Sequence, residues 1–294
     1  MGDEIRLAVI GGSGFYEMPG LEEIDEVRVA TPYGAPSDAI RIGRLNGYRV
    51  AFLARHGRRH TLLPAEIPQR ANFWALKSLG VTRVIAVSAV GSLREDYAPG
   101  DMVIPDQLVD RTRGHRPATF FGDGVVAHIS LAEPFCPDLM EAGSAAADSA
   151  GAAHHRGGSY VVIEGPAFGT RAESELYRGW GVSVVGMTAL PEAKLAREAE
   201  LCYAILATVT DYDAWRAGDE AVDAATIFRV LQANVAMGQA VVGELVKAVP
   251  AGGCSCHRAL DAALVTRPDA ISAEARSRLG PILARRLEAE EAPV

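Results

Sequence analysis

The sequence predicts an α/β protein, a single domain over residues 1–294 with a central mixed β-sheet flanked by helices. Three observations predict it. Short β-leaning apolar runs recur at Leu7–Ile10, Arg49–Ala54, Val84–Val87, Met102–Pro105, Tyr160–Ile163, Ser183–Val185 and Ala204–Thr210. Stretches with apolar residues at helical spacing lie between them. A content of 49% hydrophobic and 22% charged residues suits a chain that buries a sizeable core. No internal repeat, low-complexity tract or linker divides the chain.

Charge and composition narrow the function classes. A net charge of -8 argues against a nucleic-acid binder, which needs basic patches for phosphate backbones. It leaves room for a small anion held by a few local donors. No apolar run approaches the ~20 residues of a membrane helix. Met1 to Arg6 is polar, so no signal peptide is expected and the cytoplasm is the expected location. With 4 cysteines in a chain this long, a disulfide framework is not needed for stability.

Taken in order, several strands end in chemically distinctive residues. Leu7–Ile10 opens into Gly11-Gly12-Ser13-Gly14, whose amides and hydroxyl suit an anion. The spacing is not GxGxxG, which disfavours a dinucleotide site. Tyr16 to Gly43 reads as a polar surface excursion. Arg49–Ala54 ends in Arg55-His56-Gly57-Arg58-Arg59-His60, six residues with three arginines and two histidines. Such a cluster needs an anion, acidic partners or open solvent. A helix follows from about Ala65 to Leu79, with Pro68 tolerable only in its first turn. Val84–Val87 empties into a small-residue loop, Ser88 to Leu93. Arg111 to Gly124 reads as loop, and a lone His128 follows, by default a structural histidine.

Helices are expected at Pro137–Ser149, Thr170–Trp180, Pro191–Glu200 and Asp223–Ala248. The third carries alternating charges at Glu192, Lys194, Arg197, Glu198 and Glu200, read as a solvated face. Residues 252–294 read as a C-terminal helical extension. It opens on Cys254-Ser255-Cys256, which as a zinc site lacks a second pair although His257 is adjacent, so no metal site is expected. The anchor of the chain is the strand Ala204–Thr210, which runs into Asp211-Tyr212-Asp213. Ligands in open α/β sheets sit beyond strand carboxyl ends, so this strand's carboxylates are candidates for chemistry.

Together these loops could surround a phosphate, a sugar and a base. The conjunction Gly11-Gly12-Ser13-Gly14, Thr31-Pro32-Tyr33-Gly34, Leu53 to His60, Gly91 to Glu95, Ala132 to Pro137, Ile163 to Pro166, Arg171 to Ser174, Met187-Thr188 and Thr210 to Asp213 resembles the trimeric nucleoside phosphorylase family. The closest likeness is to its 5′-methylthioadenosine-cleaving branch. The motifs run in family order from residue 9 to about residue 250.

The resemblance implies phosphate contacts at Ser13, Arg55, His56, Ser88, Ala89 and Thr188. It implies Phe168 on the purine face, Met187 beside the ribose, and His60, Ala224, Ile227 and Phe228 around the 5′-methylthio group. It implies that His128 enters that pocket from a neighbouring subunit of a homotrimer or dimer of trimers. Asp211 and Asp213 match the catalytic pair at the purine edge. Asp211 would protonate N7, which needs a raised carboxyl pKa, and charge repulsion from Asp213 at i+2 is the expected cause. Phosphate would be a co-substrate, with no cofactor and no metal.

Two positions depart from the family pattern: Gly169 stands where a serine is usual, and Ala167 where an arginine or glutamine is common. The aspartate pair favours a 6-aminopurine, since carboxylates accept from an amino group. Methylthioinosine phosphorylase and general purine nucleoside phosphorylase are the alternatives within the family. A dinucleotide oxidoreductase and a non-catalytic nucleoside-binding protein are the alternatives outside it.

Overall fold

The computed structural model describes residues 4–12, 14–216 and 224–291, without the side chains of 224–229 and 289–291. In chain order the elements are β1 (Leu7–Gly11), β2 (Glu22–Val27), β3 (Ile40–Leu45), β4 (Tyr48–Ala54), α1 (Gln69–Ser78), β5 (Arg83–Ser92), β6 (Met102–Ile104), β7 (Gln107–Arg111) and α2 (Pro137–Ala150). Then come β8 (His154–Arg156), β9 (Ser159–Ile163), α3 (Arg171–Gly179), β10 (Val184–Gly186), α4 (Ala189–Glu198), β11 (Cys202–Asp211), α5 (Ala224–Ala248), α6 (Ala273–Leu279) and α7 (Ala284–Glu291). The expected mixed sheet is present, with eleven strands among the described residues.

The sheet is organised around β5. One edge of β5 pairs in parallel with β11 from Arg83 to Gly91. The other edge is shared. β1 pairs in parallel with Val84 to Ala86, and β10 pairs antiparallel with Gly91 and Ser92. Val87 to Val90 therefore face a split between β1 and β10. β10 runs opposite to β5 but starts beside its end, so the carboxyl ends of β1, β4, β5, β10 and β11 converge on that split.

Local sequence explains the element ends. Pro137 occupies the first turn of α2, where its missing N–H costs nothing, and Gly151 closes the helix at φ 71°. Thr170 and Glu173 form a reciprocal capping box at the start of α3. Residues 252 onward pack on the main core through buried Leu260, Leu279, Ile282 and Leu283.

Four expectations need correction. Tyr16 to Gly43 contains β2 and β3; β2 is an exposed edge strand whose acidic residues hid its pairing with β3. Ser88 to Ser92 is not a loop but the second half of β5, held by β11. The first helix starts at Gln69 rather than Ala65, because Pro68 stands as its N-cap. The charge run over residues 192–200 is not a solvated face, since Glu192 and Glu198 of α4 and Glu200 just beyond it are all buried.

Candidate active site

A cleft of about 910 Å³ opens at the split in the sheet. Its walls come from the residues that follow β1, β4, β9, β10 and β11, from the second half of β5, and from Leu231 and Val235 of α5. Arg55, His56, His60, Ser88, Ala89, Phe168, Met187, Thr188, Asp211 and Asp213 all line this one cleft.

The aspartates owe their position to a local irregularity. The β5–β11 register shifts between Val209 and Asp211, turning the last residue of β11 toward the cleft. Asp211 Oδ2 accepts from the Thr210 hydroxyl at 2.6 Å, and Oδ1 accepts from the Asp213 amide at 2.7 Å. Asp213 is left-handed at φ 52°. Gly91 lies against the pair: a Cβ there would sit 3.1 Å from Asp211 Oδ1 and 3.2 Å from Asp213 Cβ. Burial raises the pKa of both carboxyls. The expected repulsion acts in the other direction: the Asp211 charge adds to the rise at Asp213, whereas the Asp213 amide opposes the rise at Asp211.

The basic cluster after β4 divides. Arg58 turns away from the cleft and pairs with Glu26 at 2.7 Å. Arg55 is 1% exposed and donates through Nε to Glu192 Oε1 at 2.5 Å. Its Nη1 donates to the Val87 carbonyl, and its Nη2 to Ile10 and to Glu192 Oε2. Four of its five donors are thus engaged among the described residues, and a Cβ on Gly12 would lie 3.9 Å from Nη1, which keeps one N–H. Burial opposes the Arg55 charge, but the Glu192 carboxylate outweighs it and holds the pKa above its ordinary value.

His56 is neutral. Burial and the adjacent Arg55 lower its pKa to about 4. Its Nδ1 lies 2.8 Å from the Leu62 carbonyl, so the neutral ring donates there and keeps Nε2 as an acceptor. His60 stacks on it at 4.4 Å between ring centroids. Ser88 Oγ sits 3.0 Å from Thr188 Oγ1 and 3.2 Å from the buried Tyr160 hydroxyl, forming a small hydroxyl cluster. Phe168 is 69% exposed over the cleft, and among the described residues no ring packs on its aromatic face.

Among the described residues, one expected site residue lies outside the cleft. His128 is exposed, donates its amide to Ala263 at 2.8 Å, and does not line its own chain's cleft. Ser13 and the side chains of Ala224, Ile227 and Phe228 fall outside the described residues.

Three supporting residues were not singled out as functional. Glu192 accepts from Arg55, from Gln69 Nε2 and from the Tyr203 hydroxyl, which fixes the Arg55 guanidinium. Its apolar neighbours Ala189, Leu190, Pro191 and Ala193 carried the signal that α4 is buried on most sides. Arg116 ties the carbonyls of Glu164, Met187 and Leu190 together and so positions the Met187 loop. Tyr160 lies under Ser88 in a strand of ordinary pattern. Neither of the last two carried any signal in sequence.

The profile of the phosphorylase superfamily matches residues 6–247. An S-methyl-5'-thioadenosine phosphorylase of Chloroflexus aurantiacus is 57% identical over 280 residues, covering 95% of this chain and 97% of the relative. One of Geobacter sulfurreducens is 53% identical, covering 94% and 97%. A methylthioadenosine phosphorylase structure from an antarctic soil metagenomic library superposes with a TM-score of 0.91 at 48% identity, covering 96% of this chain and 100% of that one. The Schistosoma mansoni methylthioadenosine phosphorylase in complex with adenine gives 0.84 at 35% identity, covering 90% and 100%. The chain belongs to the phosphorylase superfamily and, within it, to the methylthioadenosine phosphorylase family.

Proposed function

We propose that this protein cleaves the N-glycosidic bond of 5′-methylthioadenosine with phosphate, releasing adenine and 5-methylthioribose 1-phosphate. The observation that carries the reading is the burial-raised Asp211 sharing one cleft with Arg55, Ser88 and Thr188 beneath the exposed Phe168. In this reading the purine lies on Phe168 with its edge toward Asp211 and Asp213, and the ribose lies beside Met187. The thioether rests on His60 and the apolar wall of Leu231 and Val235, joined by Ala224, Ile227 and Phe228.

Phosphate takes the place between Gly12, Arg55, Ser88, Ala89 and Thr188, with Ser13 completing the cradle. His56 Nε2 then accepts the P–OH of monohydrogen phosphate, which suits a neutral ring better than a second cation. As the C1′–N9 bond breaks, its electron pair goes to the purine and protonated Asp211 gives its proton to N7. A phosphate oxygen bonds to C1′ and neutralises the positive charge on the sugar. The carboxylate that remains recovers a proton from the monoester through solvent. The chemistry uses phosphate as co-substrate and no cofactor.

Residues 1–294 would then form one nucleoside phosphorylase domain, with 252–294 as its extension, working in the cytoplasm. No helix among the described residues is long and apolar enough to cross a membrane. A homotrimer, or a dimer of trimers, would let His128 complete a neighbour's pocket; its exposed place outside its own cleft supports that role.

One specific feature keeps methylthioinosine as the second substrate to test. A Cβ on Gly169 would meet nothing closer than Glu173 at 3.9 Å, so the space for the usual serine hydroxyl is open. Turnover of methylthioadenosine, methylthioinosine, adenosine and inosine, each with and without phosphate, decides between them. The expected order places methylthioadenosine first by tenfold or more; preference for methylthioinosine would overturn the adenine assignment.

A further inference from the structure

The four cysteines of the chain converge at one point. Cys136 caps the start of α2, Cys202 begins β11, and Cys254 and Cys256 open the C-terminal extension. All four Sγ atoms lie within 4.8 Å of one another. Cys136 Sγ and Cys254 Sγ are 3.7 Å apart. A tetrahedral zinc with Zn–S bonds of about 2.3 Å sets its sulfurs roughly 3.8 Å apart. The fold thus supplies the second cysteine pair that the Cys254-Ser255-Cys256 motif lacks in sequence. None of the four is in a disulfide.

From this convergence we propose that Cys136, Cys202, Cys254 and Cys256 form a structural zinc site. Three of the four are buried and Cys254 is half-buried, which leaves no open coordination position for a substrate. All-thiolate donors in a tetrahedral array suit zinc over magnesium, calcium or manganese. The surroundings provide outer support. Arg197 Nη1 lies 3.8 Å from Cys256 Sγ, placing a positive charge beside a thiolate-rich centre. His257 Nε2 lies 3.4 Å from Cys202 Sγ, and its Nδ1 is 3.3 Å from the Cys254 amide. Binding would release the thiol protons to solvent and leave four thiolates on one zinc ion.

The site would join three chain segments that are remote in sequence. None of the four cysteines lines the catalytic cleft, so its role is to anchor the extension to the amino end of β11. The site does not depend on the identity of the nucleoside substrate.

The full chain, expressed in zinc-supplemented medium without a metal-binding tag and purified without chelator, tests this. Elemental analysis should find close to one zinc per chain, and native mass spectrometry should show the added mass of one zinc ion. The Cys254→Ser/Cys256→Ser variant should lose it. Because that variant risks misfolding, a second measurement uses the unmutated chain. After zinc removal under reducing conditions, one equivalent of Co²⁺ should produce thiolate-to-cobalt charge transfer and the strong visible bands of a tetrahedral site. Zinc-free protein with two disulfides, iron in place of zinc, or four reduced thiols that bind neither Zn²⁺ nor Co²⁺ would overturn the proposal.

Discussion

Cys202 and Asp211 are the first and last residues of the same ten-residue strand, β11. At about 3.3 Å per residue they stand roughly 30 Å apart. Nine of the ten residues are buried, and β5 pairs along nearly the whole length. One strand therefore connects the cysteine cluster to the catalytic carboxylate through the centre of the core. Its rigidity fixes where Asp211 stands relative to the split in the sheet.

Asp211 is the proposed proton donor. Its Asp211→Ala variant should lose about 10²- to 10⁴-fold in kcat/KM while phosphate still binds, measured by initial rates and by calorimetry with phosphate alone. In the unmutated enzyme burial raises the Asp211 pKa, so the protonated form persists above the usual carboxyl range. The rate constant governed by this acid should fall as pH rises through that pKa. Near-normal turnover in the variant would remove Asp211 from the mechanism.

Gly91 tests the placement of the pair. A methyl group there would press on Asp211 Oδ1 at 3.1 Å and on Val185 Cγ1 at 3.3 Å. Gly91→Ala should lower kcat/KM by about 5- to 150-fold, as expected if the added methyl costs about 1–3 kcal/mol at the reacting group. Gly179→Ala, where no atom lies within 4 Å, serves as the control and should leave kinetics unchanged. Equal kinetics in both variants would show that the pair does not depend on Gly91.

Glu192 neutralises Arg55 in full burial, at 0% and 1% exposure. Glu192→Gln leaves the guanidinium without its counter-charge and should cost about 3–5 kcal/mol of stability, read by urea unfolding. A loss under about 1 kcal/mol would mean that solvent or another acid replaces the carboxylate.

The legible parts of this protein were its patterns. The apolar runs located the main strands, and the helix starts expected at Pro137 and Thr170 fall within one residue of the starts of α2 and α3. The strand-end residues Arg55, His56, Thr188, Asp211 and Asp213 gather in one cleft because carboxyl ends converge at the split beside β5. What sequence hid depended on the third dimension. Glu192 looked like part of a charged face because its partner Arg55 is 137 residues away. The cause of the Asp211 shift was hidden for the same reason, since burial is set by the fold and not by the i+2 neighbour. Cys136 and Cys202 carried no spacing that linked them to Cys254 and Cys256.

His56 links the cleft to acid stability. Its folded pKa of about 4 lies below the ordinary 6.5, so the folded state binds fewer protons than the unfolded chain between these values. Its contribution is fully present above pH 6.5 and is lost as pH falls toward 4. At 1.36 kcal/mol per pH unit it amounts to about 3 kcal/mol. Unfolding free energies measured at pH 7.5 and pH 4.5 should differ less in His56→Gln than in the unmutated protein. An identical difference would contradict the neutral, buried imidazole.

Phosphorolysis is tested most directly by following phosphorus and purine together. The enzyme is incubated with 5′-methylthioadenosine, with and without phosphate, while ³¹P NMR reads the sugar phosphate and chromatography reads the free base. Adenine and 5-methylthioribose 1-phosphate should appear in equal amounts, with negligible adenine when phosphate is omitted. Adenine released at the same rate without phosphate, or without a phosphorylated sugar, would contradict phosphorolysis.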